Sequence, residues 1–172
     1  MNLLTNVEAD ALLYMPKRIV VNDEMKDEFM FSFADKIKGR YKMRSLDGNF
    51  TFLMQITQSK LNIKISLYLQ ESSRPIGLFR VDYNASDHKN PVISNEHVPD
   101  YVKPYTNKHI YGSHVHMYVQ GYKPLAWAVP IDSHDFSIKE MTGINSFYAA
   151  IDEFCDIICL QTTIQHDGRM FL

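Results

Sequence analysis

Cysteine is nearly missing from this chain: Cys155 and Cys159 are the only two in 172 residues. Neighbours one helical turn apart seldom form a structural disulfide, and so low a count suits a reducing compartment, so a cytoplasmic protein is expected. No stretch approaches the ~20 apolar residues that a membrane span needs. The N-terminus turns acidic at Glu8 and Asp10 without the basic and apolar regions of a secretory signal. Neither sign of charge is in excess, with 18 Lys and Arg against 20 Asp and Glu. That balance gives neither the basic surplus that phosphate neutralisation wants nor the acidic surplus of a nucleic-acid mimic, so no direct nucleic-acid binding is expected. Familiar enzyme signatures are absent too: no glycine-rich phosphate loop, no nucleophile elbow around a serine, no H-E-x-x-H pair.

What the chain does have is apolar bulk. Nearly half of it is hydrophobic, with ten Phe, ten Tyr and one Trp, enough to build a core on packing alone. The length fits one domain over residues 1–172, and no linker or repeat divides it. Thr5-Asn6-Val7-Glu8 reads as a capping box, and Val7, Ala11, Leu12 and Met15 keep a helical spacing up to Pro16. From Glu28 the period shortens to two: Phe29/Phe31/Phe33, Tyr41/Met43, Phe50/Phe52/Met54/Ile56, Ile63/Ile65/Leu67/Leu69 and the run Leu78 to Tyr83 read as half-buried strands. Asp47-Gly48-Asn49 and Ser72-Ser73-Arg74-Pro75 supply turns. Residues 84–108 hold three prolines and no period, and read as a long loop. Strands resume at 110–120 and 125–131, the helical period returns from Ile144 to Ile158, and a short strand near 160–164 closes the chain. The expected fold is α+β: an antiparallel meander with an N-terminal and a C-terminal helix packed on the sheet.

The sharpest chemical signal is Gly112-Ser113-His114-Val115-His116-Met117-Tyr118. Residues two apart on a strand face the same side, so both imidazoles can point at one metal ion, and zinc is the expected one. The bland alternative is a pair of histidines on a solvated face or satisfied by backbone carbonyls. Further ligands have to come from elsewhere. His88 follows the strand ending at Tyr83, and Cys155 and Cys159 share a helix face, where cysteine is often just a small buried hydrophobe. Three histidines and a cysteine would close a structural site, whereas two or three ligands plus water would leave a catalytic position open. His97 and His109 are weaker candidates in the loop; His134 and His166, in polar surroundings, are expected to face water. The H-x-H resembles a cupin pair, but Val119 and Gln120 stand where the glutamate is expected. It also resembles a histidine triad whose third member is Tyr118 here. A nuclease built from His88, Asp82 and Asp87 around an open metal is the alternative. Of the aromatic strands, Phe29 to Phe33 and Phe50 to Phe52 read as ordinary sheet packing.

Taken together, Leu78-Phe79-Arg80-Val81-Asp82, Asp87-His88-Lys89-Asn90-Pro91, Ser113 to Tyr118 with Gly121-Tyr122, Ala126 to Ile131 and finally Phe154-Cys155 resemble a family of small bacterial and prophage proteins of unknown function. That family's pattern is L-x-R-x-D, H-x-N-P, H-x-H-x-Y, E-G-Y, W-A and a late cysteine. The resemblance covers about residues 76–172. It implies a ligand set of His88, His114, His116 and Cys155. Two departures stand out: Gln120 replaces the usual Glu, and residues 92–108 are longer than the usual turn. By association, the resemblance also implies a phage-encoded, non-enzymatic, zinc-containing inhibitor of a host defence protein, such as an anti-CRISPR protein binding a type II Cas nuclease in the bacterial cytoplasm.

Overall fold

The computed structural model describes residues 4–32, 38–58 and 64–167. The expected strand positions Phe33 and Ile63 lie outside them. In chain order the elements are helix α1 (Asn6–Leu13), strands β1 (Lys17–Val21), β2 (Glu24–Met25), β3 (Glu28–Phe31), β4 (Lys38–Ser45), β5 (Thr51–Gln58), β6 (Ile65–Glu71), β7 (Ile76–Tyr83), β8 (His88–Lys89), β9 (His109–Ile110), β10 (His114–Met117) and β11 (Trp127–Pro130), helix α2 (Ile144–Ile157) and strand β12 (Thr163–His166). Eight strands form one sheet in the order β11-β10-β7-β6-β5-β4-β1-β2, and every pairing in it is antiparallel. The α+β architecture is therefore the expected one, with a helix at each end of the chain.

Local chemistry explains the element ends. Thr5 and Glu8 close the capping box reciprocally: the Thr5 hydroxyl accepts from Glu8 N at 3.2 Å and Thr5 N donates to the Glu8 carboxylate at 2.7 Å. Asp47 accepts from Asn49 N at 3.0 Å, and Gly48 takes the positive φ of 79° that the β4–β5 turn requires. The buried Lys17 ties both helices to the sheet. Its Nζ donates to Leu13 O at 2.8 Å, at the end of α1, and to Ile158 O, at the end of α2, while lying 4.8 Å from the centre of the Phe52 ring. Two helix C-termini and an aromatic face thus stabilise one buried ammonium.

The period-two pattern sorts side chains onto two very different faces. One face carries the cross-strand row Val115, Val81, Leu67 and Ile56 beside the row Met117, Phe79, Leu69 and Met54, all buried. Helix α2 packs here: the Phe154 and Phe79 rings stack at 5.9 Å, and Phe147, Ala150, Ile151 and Ile158 join the same core. Opposite it run the rows His114, Asp82, Ser66, Thr57 and His116, Arg80, Tyr68, Gln55, Arg40.

Several elements depart from expectation. The last strand begins at Thr163 and pairs in parallel with β3 as a separate ribbon; Leu160 makes only an isolated bridge to Lys17. Helix α2 stops at Ile157, so Cys159 does not share its face and sits beyond the end at φ 55°. The long loop is packed: Val98 and Val102 are buried, β8 pairs with β9, and the Asn6 amide donates to His97 O at 2.7 Å. His134 and His166 do not simply face water. His134 is half-buried beside the Phe79 and Phe136 rings, and His166 stacks on Tyr148 and meets Asp152 at 2.7 Å. Among the described residues, no helix is long and apolar enough to cross a membrane.

Candidate metal centre

The polar face is closed at its β7–β10 end. His114 pairs with Asp82 across the two strands, and His116 follows on the same side. Nitrogen and carboxylate atoms of Asp82, His114 and His116 lie within 4.8 Å of one another, with all three residues buried. His116 Nε2 is 3.2 Å and His114 Nε2 3.7 Å from the same oxygen, Oδ2 of Asp82. Such a group is able to bind a metal ion.

Backbone carbonyls decide which way the imidazoles present their lone pairs. His114 Nδ1 is 2.7 Å from Gly112 O, and His116 Nδ1 is 3.0 Å from Leu125 O. A carbonyl only accepts, so each Nδ1 carries the proton and each Nε2 of the neutral ring is left as an acceptor. Both carbonyls belong to residues in the left-handed region, Gly112 at φ 72° and Leu125 at φ 59°. For a leucine that conformation is uncommon, and strain of this kind gathers at sites that must orient something. Gly77 makes room for it: a Cβ there would lie 2.9 Å from the Leu125 side chain. Two Nε2 acceptors and a carboxylate therefore converge, an arrangement that repels itself unless a cation faces it.

Arg80 supplies that positive charge in the structure. Its Nη2 donates to His116 Nε2 at 2.7 Å, and its Nε lies 2.9 Å from Asp82 Oδ2. The Nε contact has the distance of an ion pair, but the N–H does not line up as a hydrogen bond, so Nε is buried without a partner for its proton. The guanidinium fits the cluster imperfectly. Burial pushes His116 down to about 4, and it lowers His114 as well, so both rings are neutral near pH 7. Burial alone would raise Asp82, but the charge of Arg80 and a hydrogen bond from Ser66 hold the carboxyl below its usual range. Neutral imidazoles and an ionised carboxylate are the protonation states a metal ion needs.

The structure places the other sequence candidates differently. His88 lies beside the group, its ring 4.5 Å from that of His116 and 6.0 Å from that of His114. Its Nε2 donates to Ala126 O at 2.9 Å, and neither ring nitrogen joins the converging set. The segment that carries His88 is pinned by Asn90, which exchanges two 2.8 Å hydrogen bonds with Ala128 and so acts as an extra rung on the edge of β11. Cys155 is not brought to the histidines. It is buried on α2, which packs on the apolar face of the sheet, whereas the imidazoles leave from the opposite face. Burial pushes its thiol well above the usual range, the reverse of what a thiolate ligand requires. Asp87 and His109 meet each other at 2.6 Å outside the group. Asp82 is a ligand candidate in the sequence only in the nuclease alternative; its signal is the parity of L-x-R-x-D, which puts Arg80 and Asp82 on one face of a strand.

A sequence profile described as a "Family of unknown function (DUF6978)" matches residues 4–159. The chain belongs to this family. No curated protein and no solved structure matches it. The match spans α1, the whole eight-stranded sheet and α2, including Asp82, His114 and His116, and extends well beyond the C-terminal half that the sequence resemblance covered.

Proposed function

We propose that the protein binds one divalent transition-metal ion, zinc in the first instance, through His114 Nε2, His116 Nε2 and a carboxylate oxygen of Asp82, and that it uses the ion for metal-assisted hydrolysis. The observation that supports this most is the pair of Nδ1–H bonds to Gly112 and Leu125, which turn both free nitrogens toward one carboxylate. Two imidazoles and one carboxylate form a donor set suited to zinc, and three protein ligands leave a coordination position for water or substrate. A bound ion would lower the pKa of that water and polarise a scissile carbonyl or phosphoryl group.

One observation favours a structural ion instead: His114 and His116 are 2% and 0% exposed. In that reading the metal fixes the β7–β10 end of the sheet, and the chain works as a non-enzymatic binding module. Binding of a type II Cas nuclease, or of any other protein partner, rests on the sequence resemblance alone. Metal analysis of the native protein, followed by chelator-controlled assays on phosphoester, amide and ester substrates, tests the proposal. The expected outcome is about one equivalent of metal and a turnover that is lost with chelator. Stoichiometric metal that raises stability without any turnover would assign the ion to structure, and the absence of stoichiometric metal would remove both readings.

A further inference from the structure

Beside the cluster, on the same sheet face, lies a groove of about 490 Å³. Lys38, Gln55, Thr57, Ser66, Tyr68 and Arg80 provide its polar lining, and among the described residues no acidic side chain lines it. Its apolar wall comes from Pro75, Pro124 and Leu125. Arg80 belongs to both places: its guanidinium touches His116 and Asp82, and the same side chain lines the groove. With about a third of that side chain exposed, it has room to move outward.

We infer that Arg80 competes with the metal for the Asp82–His116 pair, and that on metal binding its guanidinium turns into the groove to form, with Lys38 and Tyr68, a site for an oxyanion-bearing ligand. The inference rests on the metal reading above. A guanidinium and a divalent ion cannot share the single lone pair of His116 Nε2, and two cations held on one oxygen of Asp82 repel each other. The misaligned Nε–H shows that Arg80 is not optimally held where it is. Outside the cluster, its planar fork matches two oxygens of a phosphoryl or carboxylate group. The groove's volume suits a small organic ligand, with the apolar wall against its body and the cations at its charged end. Metal and oxyanion then bind cooperatively: each ligand favours the conformer with Arg80 turned outward, and each lowers the cost of binding the other.

Cobalt(II) titration followed by visible absorption, with and without inorganic phosphate, tests this in the wild type and in Arg80→Gln. The inference expects Arg80→Gln to bind cobalt at least about tenfold more tightly, because the competing cation is gone. It also expects phosphate to tighten cobalt binding in the wild type several-fold and to do much less in Arg80→Gln. Equal or weaker cobalt binding by Arg80→Gln would overturn it. So would equal tightening by phosphate in both proteins, which would mean that phosphate sits on the metal and not on Arg80. Repeating the titration with acetate separates a phosphoryl-selective groove from one that accepts any oxyanion. If neither protein binds cobalt, the metal reading itself falls; if both bind it identically, the metal reading stands and only the role of Arg80 is lost.

Discussion

The two faces of the central sheet share one backbone and differ in almost everything else. On β7, Val81 and Asp82 are adjacent, yet one is sealed under α2 and the other meets two imidazoles and a guanidinium. The apolar face is held by area and shape, where any large hydrophobe of the right volume serves. The polar face is held by orientation: two carbonyls in left-handed conformation, one amide at Asn90 and one ion pair fix where three acceptors point. Stability is concentrated on one side and chemistry on the other, so perturbations of the two should separate.

The largest effect expected is Val81→Asp, which buries an unpaired carboxylate in the core and should cost more than about 4 kcal/mol by denaturant unfolding. Its neighbour Asp82→Asn should cost the metal-free fold no more than about 1 kcal/mol and yet remove metal binding. If Asp82→Asn unfolded the protein as Val81→Asp should, the division between the faces would be lost. Next in size, Asn90→Ala removes two buried hydrogen bonds to Ala128 and should cost about 2 kcal/mol. It should also free the segment carrying His88, seen as faster amide exchange there while α2 stays protected.

Lys17, on the apolar side, sharpens the comparison through pH. Burial pushes its ammonium down to about 8, against an ordinary value near 10.5. Between these values the unfolded chain binds more protons, so wild-type stability rises with pH over that window. Relative to Lys17→Met, the wild type should gain on the order of 2 kcal/mol from pH 8 to 10.5. A flat difference across that window would mean that Lys17 titrates normally. The smallest effect is expected far from both faces: Thr5→Ala should lose about 1 kcal/mol by opening the capping box, with no change at the metal group.

Much of this division was legible in the sequence. Alternation in β5, β6 and β7 and the return of helical spacing at Ile144 are local signals, and the sheet and both helices follow them. The H-x-H pair was legible for the same reason, since parity alone puts His114 and His116 on one side of a strand. The third acceptor was not. Choosing Asp82 over His88 or Cys155 needs the β7–β10 register, which sets His114 opposite Asp82, and the side of the sheet that α2 covers. Both are long-range facts that no spacing encodes. The parallel pairing of β12 with β3 is of the same kind, because it joins segments more than 130 residues apart. A helical cysteine such as Cys155 looks the same in sequence whether its face meets a metal or a core.

The most direct test of the central claim is X-ray absorption at the metal edge of zinc-loaded protein, read with the metal stoichiometry. The account predicts one ion with two imidazole nitrogens, carboxylate or water oxygens and no sulfur, and a loss of the two-imidazole signature in His116→Ala. A sulfur neighbour at about 2.3 Å, or no stoichiometric ion at all, would contradict it.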